Sequence, residues 1–203
     1  MRVADPNRGP HILDTAARLF AQRHYHEVRM DDIALKAGVA KGTLYRYFED
    51  KEDLYLALIL GSTDRLLAEL KEGLRDVPHP EEQVLLYVQR SIDFFTQFPY
   101  FFDLVQRVEM SGTPAKLARL QAARQGFFEF ITDIIARLPA TGRYRVPDRA
   151  LAALTLTGMT RQVLRFYPQP WPVDLARRLT QQFLHGLRPR KAGAGKRRPA
   201  AVN

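Results

Sequence analysis

The 203-residue chain contains no cysteine. That excludes a disulfide framework and any thiolate metal site, and it suits a reducing compartment. There are three serines, Ser62, Ser91 and Ser111. None lies in a nucleophile elbow, and the chain has neither a phosphate-binding glycine loop nor an H-E-x-x-H pair. Asp and His positions do not cluster, so a helical enzyme, the main rival class, finds no chemistry to run on. Long hydrophobic runs are missing too. The opening residues MRVADPNRG have no apolar h-region, and no uncharged apolar stretch approaches the roughly 20 residues that span a bilayer. The expectation is a cytoplasmic protein with no membrane segment. His24-x-His26 has no third ligand nearby and its alternate spacing suits a loop, so no metal and no cofactor are expected.

Acidic residues are absent from Arg188 onward, where Arg188, Arg190, Lys191, Lys196, Arg197 and Arg198 fall among Gly, Ala and Pro. This tail, residues 188–203, reads as disordered. It carries six charges of the net +9, leaving +3 for everything else. The overall charge is therefore no proof of nucleic-acid binding. A nonspecific, tail-driven DNA binder remains a second rival, and local geometry has to decide against it.

What is present is helical periodicity throughout, with no alternating strand pattern. Hydrophobic residues at 46% and charged residues at 26% are ordinary for a soluble globular chain. A first helix over 10–24 places Ile12, Ala16, Leu19 and Phe20 in one stripe. Asp50, with Asp53 three residues later, caps a helix of about six turns ending at Gly73. Pro78 and Pro80 mark the boundary beyond it. Helices follow over 81–98, with apolar residues on two faces, then 100–110, 115–138, 148–166 and 172–187. The fold class is all-α, with about nine helices.

Between Met30 and Lys51 the pattern shortens to helix, glycine turn and helix. Gly38 stands where a left-handed residue ends the first helix. Ile33, Ala34, Ala37, Val39 and Leu44 hold the pair together, and Leu44 and Phe48 are core. The second helix keeps Lys41, Thr43, Tyr45, Arg46 and Tyr47 for its outer surface, a poor core element and a good reader of a DNA groove. Lys41, Gly42 and Thr43 occupy its first turn, the part that enters the major groove. Gly42 allows close backbone approach, Thr43 offers a methyl or hydroxyl to a base edge, and Arg46 is placed to read guanine or clamp phosphate.

These residues resemble the TetR family of bacterial transcriptional repressors. The match runs through Lys41-Gly42-Thr43-Leu44-Tyr45-Arg46-Tyr47-Phe48 and Lys51-Glu52-Asp53-Leu54, preceded by Asp32-Ile33-Ala34 and Ala37-Gly38-Val39. It is strong over residues 10–60. The resemblance implies a three-helix helix-turn-helix domain over 1–50 and a helical effector-binding and dimerisation domain over 51–187. It implies phosphate contacts from Tyr45, Tyr47 and Lys51. Two positions depart from the family pattern, Arg29 and Ala40, where hydroxyl residues usually cap the two helices. Arg29 is expected to replace the lost hydroxyl contact with a charged phosphate contact.

In the effector half, eight of the twelve phenylalanines fall in two stretches. Ordinary core packing accounts for any one of them. Together, Phe94, Phe98, Phe101, Phe102, Phe127 and Phe128 suggest an aromatic wall for a largely apolar small molecule. Arg90, Arg107, Arg124, Arg161 and Arg165 lie on the same helices, and Arg161 is the candidate for an inward charge. The resemblance places the homodimer interface on the last two helices, through Leu151, Leu154, Thr155, Gly158, Met159, Leu179 and Phe183. It further implies double-stranded DNA with a palindromic operator as partner and a small-molecule effector. The function expected is that of a ligand-released repressor; the alternative is an activator or a ligand-independent regulator of the same family.

Overall fold

In the first helix, α1 (Arg8–Gln22), residues Ile12, Thr15, Ala16, Leu19 and Phe20 are buried at helical spacing. It starts two residues earlier than Pro10, leaving that proline within the first turn, where its missing N–H costs nothing. The computed structural model describes residues 7–23, 25–99 and 101–189. Expectations about His24, Tyr100 and the basic segment 190–203 fall outside the described residues. Those residues form nine α-helices and two short 3-10 turns, with no strand among them. After α1 come α2 (Met30–Lys36), α3 (Lys41–Tyr47), α4 (Lys51–Gly73), α5 (Pro80–Gln97), α6 (Phe101–Ser111), α7 (Pro114–Arg137), α8 (Arg149–Phe166) and α9 (Leu175–Gly186). The all-α expectation is met. Among the described residues, no helix is long and apolar enough to cross a membrane.

The corner between α2 and α3 follows from one backbone angle. Gly38 has φ +64°, the left-handed region that only glycine enters cheaply. This lets the Val39 N–H reach back to the Ala34 carbonyl at 3.0 Å and the Gly38 N–H to Leu35 at 3.2 Å, satisfying carbonyls that the helix end would leave bare. Leu44 of α3 then enters an apolar cluster with Ile12, Ala16, Phe20, Ile33, Ala34 and Phe48.

Helix α4 belongs to two cores. Leu54, Tyr55, Leu56, Leu58 and Ile59 complete the N-terminal cluster. Leu66 and Leu70 join the C-terminal one with residues of α5, α7, α8 and α9. No residue from Leu60 to Arg65 is buried. The N-terminal cluster also takes in Val105 and Val108 of α6 and Leu120 of α7, so the two units share apolar contacts beyond α4 itself.

A polar seam runs beside those contacts. The Asp50 carboxylate caps α4 by accepting from the Asp53 N–H at 2.6 Å, and the Asp53 carboxylate accepts from the Glu49 N–H at 3.3 Å. Lys116 of α7 donates to both Asp50 oxygens, at 2.8 and 2.7 Å, and approaches Glu52 at 3.7 Å. Arg119, one turn on, reaches Asp53 at 3.4 Å. Burial opposes both charges of the central pair, yet each partner overcomes it. The hydrogen bonds from Lys116 and the Asp53 N–H hold the Asp50 carboxyl below its ordinary range, and Asp50 holds the Lys116 ammonium above its own.

Two expectations about the C-terminal half need correction. Helix α5 buries one broad face, through Gln83, Val84, Tyr87, Val88, Ser91 and Phe94, while Leu85 is exposed. Helices α4, α7, α8 and α9 pack against α5. Helix α9 begins at Leu175, three residues after Pro172, because Pro168, Pro170 and Pro172 hold the preceding chain out of the helix. Its apolar stripe, including Leu179 and Phe183, is buried against the protomer's own core. Those two residues are therefore not on a surface that a second chain could touch. The outer side of α9 carries Arg177, Arg178, Gln181 and Gln182 instead.

Gly38→Ala would force a side chain into the left-handed region, with a cost of about 1–2 kcal/mol. Urea unfolding of the full chain should show that loss with an unchanged m-value.

Candidate nucleic-acid interface and effector region

Helix α3 has seven residues, and Leu44 is the one it buries. Lys41, Gly42, Tyr45 and Arg46 are exposed, with Thr43 and Tyr47 half-buried. A Cβ built on Gly42 would meet nothing within 4 Å, so no packing inside the protein demands a glycine there. Lys41 is not aimed outward alone. Its ammonium is 2.9 Å from the Asp31 carboxylate, and that hydrogen bond raises its pKa. The same ammonium lies 6.0 Å from the centre of the Tyr45 ring. The ten-residue separation of Asp31 and Lys41 leaves no helical signature in the sequence, and only the α2–α3 corner reveals the pair.

Arg46 lies 5.7 Å from the Tyr47 ring centre, a cation–π distance. The Tyr47 ring packs toward the α1 backbone, where a Cβ on Gly9 would stand 3.4 Å away. Tyr47 thus combines packing with a partly open edge, whereas Tyr45 is 43% exposed. Lys51 opens α4 half-buried beside the Asp50 cap. The expected missing caps are real. Ala40, in extended conformation at the N-cap of α3, makes no side-chain bond. At α2 the Arg29 side chain has no acceptor to offer, but the Asp32 carboxylate accepts from the Arg29 backbone N–H at 3.1 Å and replaces half of the missing box. The Arg29 residue is exposed. All eight residues expected at DNA lie on α3 or immediately at the ends of α2 and α4.

In the effector region, Phe94, Phe98, Phe101 and Phe102 come together at the α5–α6 corner, and Phe95 joins them. Phe95 stacks on Phe102 with ring centres 4.2 Å apart and planes 4° from parallel. Phe94 meets Phe101 edge-on at 5.0 Å. Phe127 stands elsewhere, 6.1 Å from the Tyr87 ring, and Phe128 is half-buried against the same core. Arg161 is exposed on α8, and the ring its charge acts on is that of buried Tyr87, where it favours the ionised phenol. The arginines that do reach the aromatic group are Arg165, 6.0 Å from Phe102, and Arg65, 5.0 Å from Phe98. Arg90 and Arg124 face Asp93 and Glu109, and the Arg107 side chain is outside the described residues.

Beside Phe95 runs an open groove of about 540 Å³, with Ile92, Pro99, Pro170, Trp171 and Val173 among its walls. Periodicity could not have found it, because the loop 167–174 supplies half of the lining. Buried hydroxyls interrupt the apolar core, among them those of Tyr87, Ser91, Thr160 and Thr180. Ser91 Oγ donates to the Tyr87 carbonyl at 2.8 Å, while Thr160 Oγ1 has no hydrogen-bond partner among the described residues. The Ser91 and Thr160 hydroxyls and the Arg161 charge favour the ionised Tyr87 phenol. Burial still dominates and pushes that phenol up to about 12.

A short, exposed, cationic helix braced by two others, joined to a larger helical body, defines a helix-turn-helix regulator. The family model of bacterial regulatory proteins of the tetR family matches residues 12–58, and that of the tetracyclin repressor-like C-terminal domain matches residues 78–187. The chain belongs to the TetR family, and it is a transcriptional regulator with a DNA-binding and a ligand-binding domain, not an enzyme. It is similar to the HTH-type transcriptional activator FasR of Mycolicibacterium smegmatis, 27% identical over 182 residues, 90% of this chain and 83% of FasR. The TetR family regulator PfmR from Thermus thermophilus is 26% identical with a TM-score of 0.71, covering 88% of this chain and 99% of its own. The fold of FadR from Bacillus subtilis, solved in complex with stearoyl-CoA, matches with a TM-score of 0.74 at 20% identity over 88% of this chain and 98% of that one.

Ala40→Ser should supply the missing α3 cap and stabilise the N-terminal unit by up to about 1 kcal/mol. Thermal unfolding should show a raised midpoint; no rise would mean that the extended Ala40 backbone does not orient a hydroxyl toward Thr43.

Proposed function

We propose that this regulator is a dimeric repressor that reads a palindromic operator through α3 and releases it on binding a largely apolar small molecule. The observation that carries the reading is α3 itself, anchored by Leu44 while Lys41, Gly42, Tyr45 and Arg46 stay exposed. Lys41, Gly42, Thr43 and Arg46 face the base edges; Arg29, Tyr45, Tyr47 and Lys51 hold phosphate. Asp31 orients the Lys41 ammonium until a base edge displaces it. The DNA-reading unit ends near residue 50, α4 carries the link to the effector unit ending at 187, and the protein acts in the cytoplasm.

The dimer forms through α8. Leu151 and Leu154 are 61% and 58% exposed, Thr155 is exposed and Gly158 and Met159 half-exposed, all at helical spacing on one side. Two copies packed on this face set two α3 helices about one DNA turn apart, roughly 34 Å. For the effector, the groove opens onto Phe95, which stacks on Phe102 beside Arg165, and the Thr160 hydroxyl of the core, unpartnered among the described residues, offers a donor to a carbonyl. A long acyl chain attached to a polar head suits that combination, in line with the stearoyl-CoA held by the structural neighbour FadR. The relative named as an activator supports the alternative polarity, which depends on where the operator lies.

Selection from a random duplex pool should enrich one inverted repeat, and stearoyl-CoA should release it where free coenzyme A does not. Arg46→Ala should lose about 1–3 kcal/mol of discrimination at one base of each half-site. Leu154→Glu should sediment as a monomer and lose the inverted repeat. Enrichment of no sequence, or a dimer that survives Leu154→Glu, would refute the respective part.

A further inference from the structure

Lys116 belongs to α7, yet its ammonium sits against the turn that follows α3. It is 8% exposed, and a lysine is rarely buried that far without a partner. Its place on α7 is otherwise unfavourable. Thr113 caps that helix, Lys116 falls in the first turn, and no acidic residue accompanies it there. A cation at a helix N-terminus opposes the helix dipole, so the partner across the seam accounts for it. That partner, Asp50, lies three residues beyond Tyr47 and caps α4. One carboxylate thus ends the α3–α4 corner, starts α4 and receives the effector unit's ammonium.

We propose that Lys116 is a positioning residue for DNA recognition, through which the effector unit holds the α3–α4 corner at the angle that operator binding needs. The proposal rests on the reading of α3 as the DNA-reading helix. Arg119 on Asp53 braces the same turn from one helical turn further along α7. A shift of α7 along its axis would strain the Lys116–Asp50 bonds, because both point across the seam. Lys116 itself touches no DNA.

The test uses Lys116→Met, Asp50→Asn, the double variant and Lys116→Arg in the full-length protein. Asparagine keeps the α4 cap, since it is as good an N-cap as aspartate. Both single variants should lower affinity for the selected operator by about tenfold, the double variant should be no worse than either, and Lys116→Arg should recover most of the loss. Affinity for unrelated duplex should move far less. The sign for Asp50→Asn is the discriminating result. It makes the protein more positive, so a purely electrostatic role predicts tighter DNA binding, whereas a positioning role predicts weaker operator binding. Tighter or unchanged operator binding by Asp50→Asn would overturn the proposal. Amide exchange of residues 41–53 in the DNA-free protein gives a reading that stands if no operator exists. Faster exchange in both single variants supports the brace, and unchanged exchange refutes it.

Discussion

A seven-residue helix does not hold itself together in water, because nucleating a turn costs more than so few bonds return. Helix α3 exists because Leu44 is buried among α1, α2 and the start of α4. With Phe48 closing the same cluster and Tyr47 packed at its edge, Tyr45 and Arg46 are carried on a fixed frame without being packed themselves. Everything the proposed DNA-reading surface does depends on that insertion. It is also why so many exposed polar and aromatic groups are tolerated on one short helix.

The second dependence is on α4. Its first half completes the N-terminal core and its second half enters the effector core, with an unburied stretch from Leu60 to Arg65 between them. The apolar residues of α6 and α7 that cross into the N-terminal cluster, and the Lys116–Asp50 seam beside them, make two further connections. A change in the effector unit therefore has a direct route to the helix-turn-helix, and no long-range wire is needed.

Much of this was legible in the sequence because it is local. The Gly38 turn, the Asp50 cap, the α1 stripe and the burial of Leu44 each follow from residues within one or two helical turns. What periodicity cannot say is which neighbour covers a stripe. Leu179 and Phe183 have the spacing of an interface, and the structure buries them in their own protomer. The phenylalanines were legible as a group, but not that Phe95 would stack on Phe102 or that Phe127 would stand apart on Tyr87. Lys41–Asp31 and Lys116–Asp50 left no signal, since the partners are ten and 66 residues apart.

If α3 and its flanks, not the basic segment, make the DNA contact, amide hydrogen exchange of the full-length protein with and without its selected duplex will show it. New protection should concentrate in residues 29–51. Protection confined to residues 188–203, with 29–51 unchanged, would contradict it.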